Sequence, residues 1–387
     1  MINMEKVRKI VTLQTLVLIF IFFNTKGFSE ITANEVYLLS SIYAGKDFTN
    51  ITPYPINSND EFEVYPGFFY KSFDPLWLIG GIFETNWSDL ERGVYLSDSL
   101  PYVTGFMGGY DAGSMRIVSA MYFFDPYLTE DELARQKATS FDGNFDPNFD
   151  TNSDRAGLED FGYSDPSKTL FIHRLEFNLF DRVRLSLNEL NLIGGKYPDL
   201  SDANPFGIAH NNLGEGFSNN MLGVDASIIP TNGWQIYGQF AMDDFVVPDT
   251  EGGATDYKPT AFAWGVGTRL VGKTSQYYIS PKIEYYKIYT WMYNQWAPYL
   301  KYTAKYDEED IPIGFDYGND MEGYLIGLDI ANETTRYKIT FERYLKGEIN
   351  LETPYDDERK EDVEGWPGPY GETTPFIKIS FSIEVGF

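Results

Sequence analysis

The side chains that could bind or transform a ligand are concentrated between residues 171 and 245. Arg174 and Glu176 stand two positions apart, so both lie on one face if this part of the chain is an extended strand. A guanidinium and a carboxylate can each hold adjacent sugar hydroxyls through paired hydrogen bonds, and Arg also pairs with acidic sugars. Buried charges are commonly paired with each other, so a structural ion pair is the competing and more ordinary interpretation.

The same alternation places further polar side chains beside this pair, on what we expect to be an inner wall. Asp243 and Asp244 stand at the end of a strand, where they could bind polymer or a divalent ion, although Asp also favours the start of a solvated loop. Other candidates on this wall either orient a hydrogen-bond network or contact a glycan, and the sequence leaves both roles open: Asn178, Arg184, Asn188, Asn220 and Asp225.

A metal site is a weaker hypothesis. The acidic stretch "DGNFDPNFDTNSD", residues 142–154, has the spacing of calcium ligands at Asp150, Asn152 and Asp154. The twelfth position counted from Asp150 is Phe161, where an EF-hand requires Glu, so that pattern fails. A solvated acidic loop is therefore the simpler interpretation. No tightly bound cofactor is expected, and the metal hypothesis is limited to a loosely bound Ca²⁺ or Mg²⁺.

The two histidines bear on whether the chain is an enzyme. A serine hydrolase needs a histidine with a serine nucleophile and an orienting partner within hydrogen-bond reach. Neither His173 nor His210 has a serine two positions away, which would place both on one strand face. His173 also falls on the positions that we expect to face lipid, which favours a structural role. Cross-strand pairing stays open, but we do not expect an enzyme.

Strands must position these candidates, and an alternation of apolar and polar residues predicts strands along most of the chain. In the final stretch, 375–387, apolar side chains occupy the odd positions from Ile377 to Phe387, and polar or small ones occupy the even positions. The one helix candidate is at 129–138. Further strands are predicted near 36–45, 64–73, 76–86, 100–110, 115–124, 169–179, 183–192, 220–229, 234–244, 261–271, 276–290, 296–306, 322–330 and 336–343.

The connections between these strands alternate between long and short, which is typical of bacterial outer-membrane barrels and has no reason to occur in a soluble sandwich. We therefore predict an all-β, antiparallel transmembrane outer-membrane β-barrel of about 16–18 strands. The fifteen strands counted are an odd number, which would send the last strand in the wrong direction. One strand is therefore expected to have been missed between 276 and 375.

The start of the chain indicates export. Lys6, Arg8 and Lys9 precede the apolar run 10–23, and small residues frame a cleavage site before Glu30. We expect a signal peptide at 1–29 and a single barrel domain at 30–387, with an uncleaved anchor as the alternative. The net charge of −27 argues against nucleic acid as a partner, because Lys and Arg supply that affinity. The chain has no cysteine, which excludes disulfides and thiolate metal sites.

Five short elements together resemble the capsule-assembly family of Wzi-like outer-membrane proteins. They are "HRLEF" at 173–177, the return strand "LSLNEL" with its following Gly-Gly, "NPF" at 204–206, "NNMLGVD" at 219–225 and "YGQFAMDDF" at 237–245. Their order and spacing match that family over about 75 residues. The resemblance implies a non-enzymatic, lectin-like barrel that holds secreted polysaccharide at the cell surface.

The leading functional hypothesis is thus a monomeric barrel that binds or anchors surface polysaccharide. Loop aromatics Tyr355, Trp366 and Tyr370 could stack on sugar rings. The acidic loops would repel a polyanionic glycan, so we expect a neutral polymer or dependence on Ca²⁺ or Mg²⁺. Outer-membrane lipid and, through the aromatic end Phe387, the barrel-assembly machinery are the other expected partners. The alternatives are a porin-like diffusion channel for small solutes and a membrane-embedded enzyme.

Overall fold

The computed structural model describes most of the chain from residue 63 onward. The predicted signal peptide at 1–29 and the predicted strand at 36–45 lie outside the described residues, so these and the domain limits stay predictions. The described residues are 63–65, 68–72, 75–83, 86–100, 103–138, 166–180, 182–195, 197–198, 218–244, 260–295, 297–306, 309–332, 334–353 and 367–385.

Seventeen strands are described, and most coincide with the predicted segments. They are β1 (Glu63–Tyr65), β2 (Phe68–Ser72), β3 (Leu76–Phe83), β4 (Val103–Asp111), β5 (Met115–Phe123), β6 (Lys168–Leu179), β7 (Val183–Gly194), β8 (Ser218–Thr231), β9 (Trp234–Asp244), β10 (Ala261–Leu270), β11 (Gly272–Lys273), β12 (Tyr278–Ile288), β13 (Thr303–Tyr306), β14 (Glu309–Pro312), β15 (Met321–Ala331), β16 (Thr335–Lys346) and β17 (Thr374–Val385).

Helix α1 (Glu130–Ala138) and a 3-10 helix (Pro298–Leu300) are the helical elements used below. A reciprocal pair of hydrogen bonds starts α1. The Glu132 amide donates to the Thr129 hydroxyl at 3.3 Å, and the Thr129 amide donates to the Glu132 carboxylate at 3.0 Å. Among the described helices, none is long and apolar enough to cross a bilayer.

The main sheet is an antiparallel meander in which each strand pairs with the next one along the chain. The order runs from β1 to β10 and then through β12, β15, β16 and β17, with β11 paired to β12. Strands β13 and β14 pair only with each other, in a separate hairpin. Short turns join β4 to β5, β6 to β7, β8 to β9 and β15 to β16 at one end. Long connections lie at the opposite end, as predicted.

The structure corrects the predicted strand at 296–306. This segment contains the 3-10 helix and β13, and it does not belong to the main sheet. The odd strand count is therefore explained by one segment too many. Among the described residues between 276 and 375, the one strand that was not counted is β14, and it lies outside the main sheet. With that segment removed, β17 runs toward the short-turn end, as the last strand must. The segment 64–73 also differs, because it forms two short paired strands, β1 and β2.

Side chains along the strands alternate between a polar interior and an apolar exterior. Leu187, Leu222 and Val266 point outward and are 48 %, 42 % and 45 % exposed. The inward positions of neighbouring strands carry buried charges such as Arg269 and Glu342. A soluble sandwich has the opposite arrangement, because its apolar side chains fill the core. Apolar outward faces with a polar lining are the arrangement of a transmembrane barrel, and the predicted fold class is confirmed.

Two segments fold into the space that the sheet encloses. The first, which we call the inner segment, is residues 86–100 between β3 and β4. Its Tyr95 lies 3.4 Å from Arg174 of β6, and its Arg92 contacts Glu342 of β16 at 3.0 Å. On a flat sheet β6 and β16 would be about 34 Å apart, at about 4.8 Å per strand. Residues three positions apart cannot bridge that span, so the sheet is rolled.

The second segment, which we call the outer cap, is residues 289–320 between β12 and β15. It contains the 3-10 helix and the β13–β14 hairpin, and it packs against α1, where the Tyr299 amide donates to Gln136 at 3.0 Å. Side chains of the inner segment and the outer cap share one hydrophobic cluster with the wall. The aromatic members with no exposed surface are Tyr95, Tyr122, Tyr286, Tyr293, Tyr302, Phe315 and Tyr344.

Candidate functional site

Arg174 and Glu176 form an ion pair on the inner face of β6. The guanidinium lies 3.0 Å from the Glu176 carboxylate, and both side chains are 9 % exposed. The same guanidinium donates to Asn188 of β7 at 3.1 Å and pairs with Asp225 of β8 at 2.7 Å. The register explains the contact, because Arg174 is opposite Asn188 and β8 lies beside β7. Four of the predicted residues are thus brought together.

Asp225 is the centre of this network. Ser186 and Asn188 each donate to one of its carboxylate oxygens at 3.0 Å, and Gln239 of β9 donates to the other at 2.7 Å. The hydroxyl of Tyr95, in the inner segment, also donates to Asp225. Most of the acceptor capacity of this carboxylate is therefore used within the protein. The predicted structural role of the Arg174–Glu176 pair is therefore the one that the geometry favours.

The other candidates on this wall lie at the border of the network or beyond it. Arg184 is near the short-turn end, 4.0 Å from Glu176 and 3.4 Å from Asn178. Asp243 is buried at the outer end of β9 and accepts a hydrogen bond from the amide of Tyr293, in the outer cap, at 2.9 Å. Asp244 is the last residue of β9, and its side chain lies outside the described residues.

The structure corrects the predicted position of Asn220. It was expected on the inner wall, but it lies on the outer face, on the same alternate positions of β8 as the exposed Leu222. Its amide donates to Glu189 of β7 at 3.0 Å, and Glu189 in turn contacts His173 of β6 at 3.2 Å. His173 is on the outer face, as the alternation predicts. Asn220 and Asp225 are an odd number of positions apart, and successive side chains point to opposite faces, so the two cannot share a face of one regular strand.

The charged residues of the inner segment were not recognised from the sequence. Glu91 pairs with Lys282 of β12 at 2.5 Å and also with Lys338 of β16. Arg92 pairs with Glu342 of β16 at 3.0 Å and with Asp316 in the outer cap. The available signal was the run "SDLER" at 88–92, in which three charged residues lie close together between Trp87 and Val94. These ion pairs fasten the segment to several strands of the wall.

The outer end carries a cluster of lysines and acids between α1, β6 and the outer cap. Lys301 lies 2.7 Å from Asp310, and Lys305 lies 3.1 Å from both Asp310 and Glu132. Burial raises the pKa of the Asp310 carboxyl, but the lysine ammonium groups more than offset that effect, and the pKa falls to about 2. The cluster therefore holds α1 and the hairpin together at neutral pH.

Exposed tyrosines at the outer end are a second set that sequence reasoning missed. Tyr127, Tyr197 and Tyr306 are 43 %, 61 % and 47 % exposed, and each lies in a connection at this end or in the hairpin. Of the aromatics that were predicted, Tyr370 is half-buried and packs against Trp291, Leu300 and Ile349. Tyr355 and Trp366 lie outside the described residues.

The metal hypothesis is untested. Asp150, Asn152 and Asp154 all lie outside the described residues, as does His210. Within the part of the chain that the structure describes, no group of three or more His, Asp or Glu side chains could hold a metal ion. A loosely bound Ca²⁺ or Mg²⁺ at residues 150–154 stays a prediction.

Comparison with known proteins gives distant structural likenesses. No protein-family model matches the chain, and no curated protein does. Wzi of Escherichia coli, described as a carbohydrate-binding β-barrel involved in group 1 capsule assembly, is 14 % identical, with a TM-score of 0.47 over 86 % of this chain and 72 % of Wzi. OmpT of Vibrio cholerae is 9 % identical, with a TM-score of 0.39 over 86 % of each chain. A porin is 10 % identical, with a TM-score of 0.35 over 83 % of this chain and 81 % of the porin. The family resemblance of residues 171–245 stays a prediction.

Proposed function

We propose that this chain is an exported outer-membrane barrel that binds or anchors surface polysaccharide at its outer end, without covalent chemistry on the polymer. The observation that carries the proposal is the inner segment. Its residues contact inward-facing side chains from β6 to β16, and Val94, Tyr95 and Leu96 have no exposed surface. An interior occupied in this way favours a binding surface at the barrel end over diffusion through the barrel.

The outer end has the side chains that sugar binding needs. Tyrosine rings stack on the apolar faces of sugars while their hydroxyls bond to water or to the sugar. Tyr127, Tyr197 and Tyr306 offer such rings at this end. The chain carries 57 acidic and 30 basic residues, so a polyanionic glycan would be repelled. A neutral polymer, or an acidic one bridged by Ca²⁺ or Mg²⁺, fits this charge best.

The proposal also covers the setting of the protein. The apolar exterior would contact outer-membrane lipid, and the final strand would be recognised by the barrel-assembly machinery during insertion. We propose a monomer, with export through a cleaved signal peptide and no nucleic-acid partner. The rival function is a porin-like diffusion channel for small solutes, for which the polar lining of the barrel is the favourable observation.

Two measurements on the purified full-length chain separate these functions. In planar bilayers the chain should give no steady single-channel current, and it should retain surface polysaccharide prepared from the organism that encodes it. Replacement of Tyr127, Tyr197 and Tyr306 by Ala should weaken retention at least about tenfold, since each stacked ring contributes on the order of 1 kcal/mol. Tyr277→Ala, at the short-turn end, is the matched control. Steady currents without polysaccharide retention would support the channel instead.

A further inference from the structure

Lysine and arginine occur at one place on the outward face of the barrel wall. Among the described side chains of β3–β10, β12 and β15–β17, the outward positions hold two such residues, Lys287 of β12 and Arg343 of β16. Every other lysine or arginine described in these strands occupies an inward position: Arg116, Lys168, Arg174, Arg184, Arg269, Lys282, Arg336, Lys338, Lys346 and Lys378. The two outward cations lie near the outer end, on strands separated only by β15.

The register brings these two residues to the same part of the surface. Lys287 is directly opposite Glu322 of β15, and Arg343 is directly opposite Tyr324, the next outward residue of β15. The Cα atoms of Lys287 and Arg343 are therefore about 12 Å apart, from about 4.8 Å per strand and about 3.4 Å per residue. Because both side chains are long and flexible, one headgroup placed between them can contact both.

The protein balances the charges of these two residues unequally. The Lys287 ammonium lies 3.2 Å from the Glu322 carboxylate, and the Tyr285 hydroxyl donates to the same carboxylate at 3.4 Å. Arg343 is partly exposed and has no hydrogen bond, ion pair or ring contact with any residue that the structure describes. Hydrocarbon offers no counter-charge, so an arginine on a lipid-facing surface is costly unless a partner reaches it. One positive charge is thus left for a group outside the protein.

The two cations lie at the outer edge of the apolar band. The next outward row toward the short-turn end is apolar across four strands: Ile283, Ile326, Phe341 and Ile379. The row of Arg343 contains Tyr285 and Tyr324. The ring of Trp264 packs against that of Tyr285, with the ring centroids 5.4 Å apart. Tyrosine and tryptophan mark the boundary between hydrocarbon and headgroups in transmembrane barrels, so Arg343 and Lys287 lie where the headgroups begin.

We infer that this surface binds the headgroup of a phosphorylated, acylated glycolipid of the outer leaflet. Arg343 holds the phosphate, because a planar guanidinium donates two parallel hydrogen bonds to phosphate oxygens, and Lys287 adds a second positive charge. The rings of Tyr285 and Tyr324 contact the sugar. The site presupposes the outer-membrane setting proposed above, and it is separate from the polysaccharide surface formed by connections at the outer end.

The surroundings of the two cations favour a glycolipid over a simple phospholipid. Acyl chains pack below the headgroup, where Ile379 and Phe381 are 73 % and 62 % exposed. A phospholipid such as phosphatidylglycerol would use that apolar surface and the positive charge, but it has no sugar ring. Tyr285 is 36 % exposed beside the cations, so its ring is available to stack on the apolar face of a sugar. A phosphate, a sugar and acyl chains together therefore fit this surface best.

The test uses the full-length chain in detergent micelles, with native mass spectrometry as the binding measurement. The lipids are bisphosphorylated lipid A, the same lipid A without its phosphates, and phosphatidylglycerol. Bisphosphorylated lipid A should bind at least about tenfold more tightly than either of the others, since charged hydrogen bonds to phosphate are strong. Arg343→Gln should weaken this binding at least about fivefold. Arg182→Gln removes an exposed arginine at the short-turn end and is the matched control, with unchanged affinity.

A second variant should have an effect of opposite sign. Glu322→Gln frees Lys287 from its carboxylate, so it should bind bisphosphorylated lipid A about twofold to fivefold more tightly. Equal binding with and without phosphates, or an affinity that Arg343→Gln leaves unchanged in the folded chain, would overturn the phosphate site. Equal binding of phosphatidylglycerol would overturn the glycolipid assignment. A chain that fractionates outside the outer membrane would overturn the setting and the site together, whereas failure to retain polysaccharide would count against the proposed function alone.

Discussion

Tyr95 donates a hydrogen bond to Asp225, although 130 residues of chain separate them. Tyr95 is at the centre of the inner segment and Asp225 is in the middle of β8, where it also pairs with Arg174 at 2.7 Å. The contact joins the segment that fills the barrel to the polar network that lines it. Because both belong to one set of hydrogen bonds, a substitution in the wall should also destabilise the inner segment. A substitution in the inner segment should likewise destabilise the wall network.

Asp225→Ala should be the most damaging single change in this network. It leaves the buried Arg174 guanidinium without its closest carboxylate, and it leaves the donors of Ser186 and Gln239 without this acceptor. Removing one partner of a buried ion pair costs about 3–5 kcal/mol. Urea unfolding in detergent, followed by tryptophan fluorescence, measures the loss. Asp111→Ala breaks the half-exposed pair with Arg116 and should cost under about 1 kcal/mol; equal losses would contradict the assignment.

Gly223→Ala tests the packing of the inner segment against the wall. A Cβ atom at position 223 would lie 2.7 Å from the Tyr95 ring, so the ring must move. Overpacking of this kind costs about 1–3 kcal/mol. The double variant with Tyr95→Ala removes the clash, so the cost of Gly223→Ala should vanish in that background. A cost that persists without the Tyr95 ring would show that Gly223 matters for another reason.

Loosening the inner segment should open a current. Glu91→Gln with Arg92→Gln removes the ion pairs to Lys282, Lys338, Glu342 and Asp316. Lys338, Glu342 and Asp316 then lose these ion pairs, and Lys282 keeps only Asp329, at 3.5 Å, so the segment should leave its place part of the time. Single-channel recording should show brief openings that the unchanged chain lacks. Asp98→Asn alters an exposed charge of the same segment and should remain silent.

The outer cluster should respond to acid. The pKa of Asp310 is about 2 in the folded protein, against an ordinary value of 3.8, so its ionised form stabilises the folded state. That stabilisation is complete above pH 4 and is lost as the pH falls toward 2. Asp310→Asn should therefore cost about 2 kcal/mol at pH 7, from about 1.4 kcal/mol per pH unit, and almost nothing near pH 2.

Hydrogen exchange of the amides in the hairpin Thr303–Pro312 reports this change locally. In the unchanged chain, protection of the hairpin should fall between pH 4 and pH 2. The Asp310→Asn variant should be poorly protected throughout. Glu309→Gln, an exposed neighbour on the same strand, is the control and should follow the unchanged chain. If protection falls equally in the Asp310→Asn and Glu309→Gln variants, Asp310 does not stabilise the hairpin.

The strands of the wall could be predicted because lipid and lumen impose opposite polarity on alternate residues. Segment 296–306 imitated that pattern, yet it folds into the outer cap, since its faces meet other parts of the same chain. The inner segment could not be predicted from the sequence, for a related reason. Its residues read as an ordinary connection, and nothing local in the chain specifies that Arg92 will meet Glu342, 250 residues away.

The candidate site could also be predicted only where local strand geometry determines it. Arg174 and Glu176 are close in sequence, and strand geometry alone places them on one face. Asp225 joins them only through the register of β7 and β8. Register depends on turns and on contacts across the whole sheet, so a single sequence does not determine which polar residues become neighbours.

The contacts of the inner segment also bear on the order in which the barrel assembles. Its residues leave the ribosome before β12 and β16, yet Glu91 and Arg92 find their partners on those two strands. Contacts between residues so far apart in the chain form late, because closing long loops costs entropy before any contact is gained. We therefore expect docking of this segment to be a late step of folding. A barrel whose wall is complete but whose segment is undocked would be a leaky intermediate in the membrane.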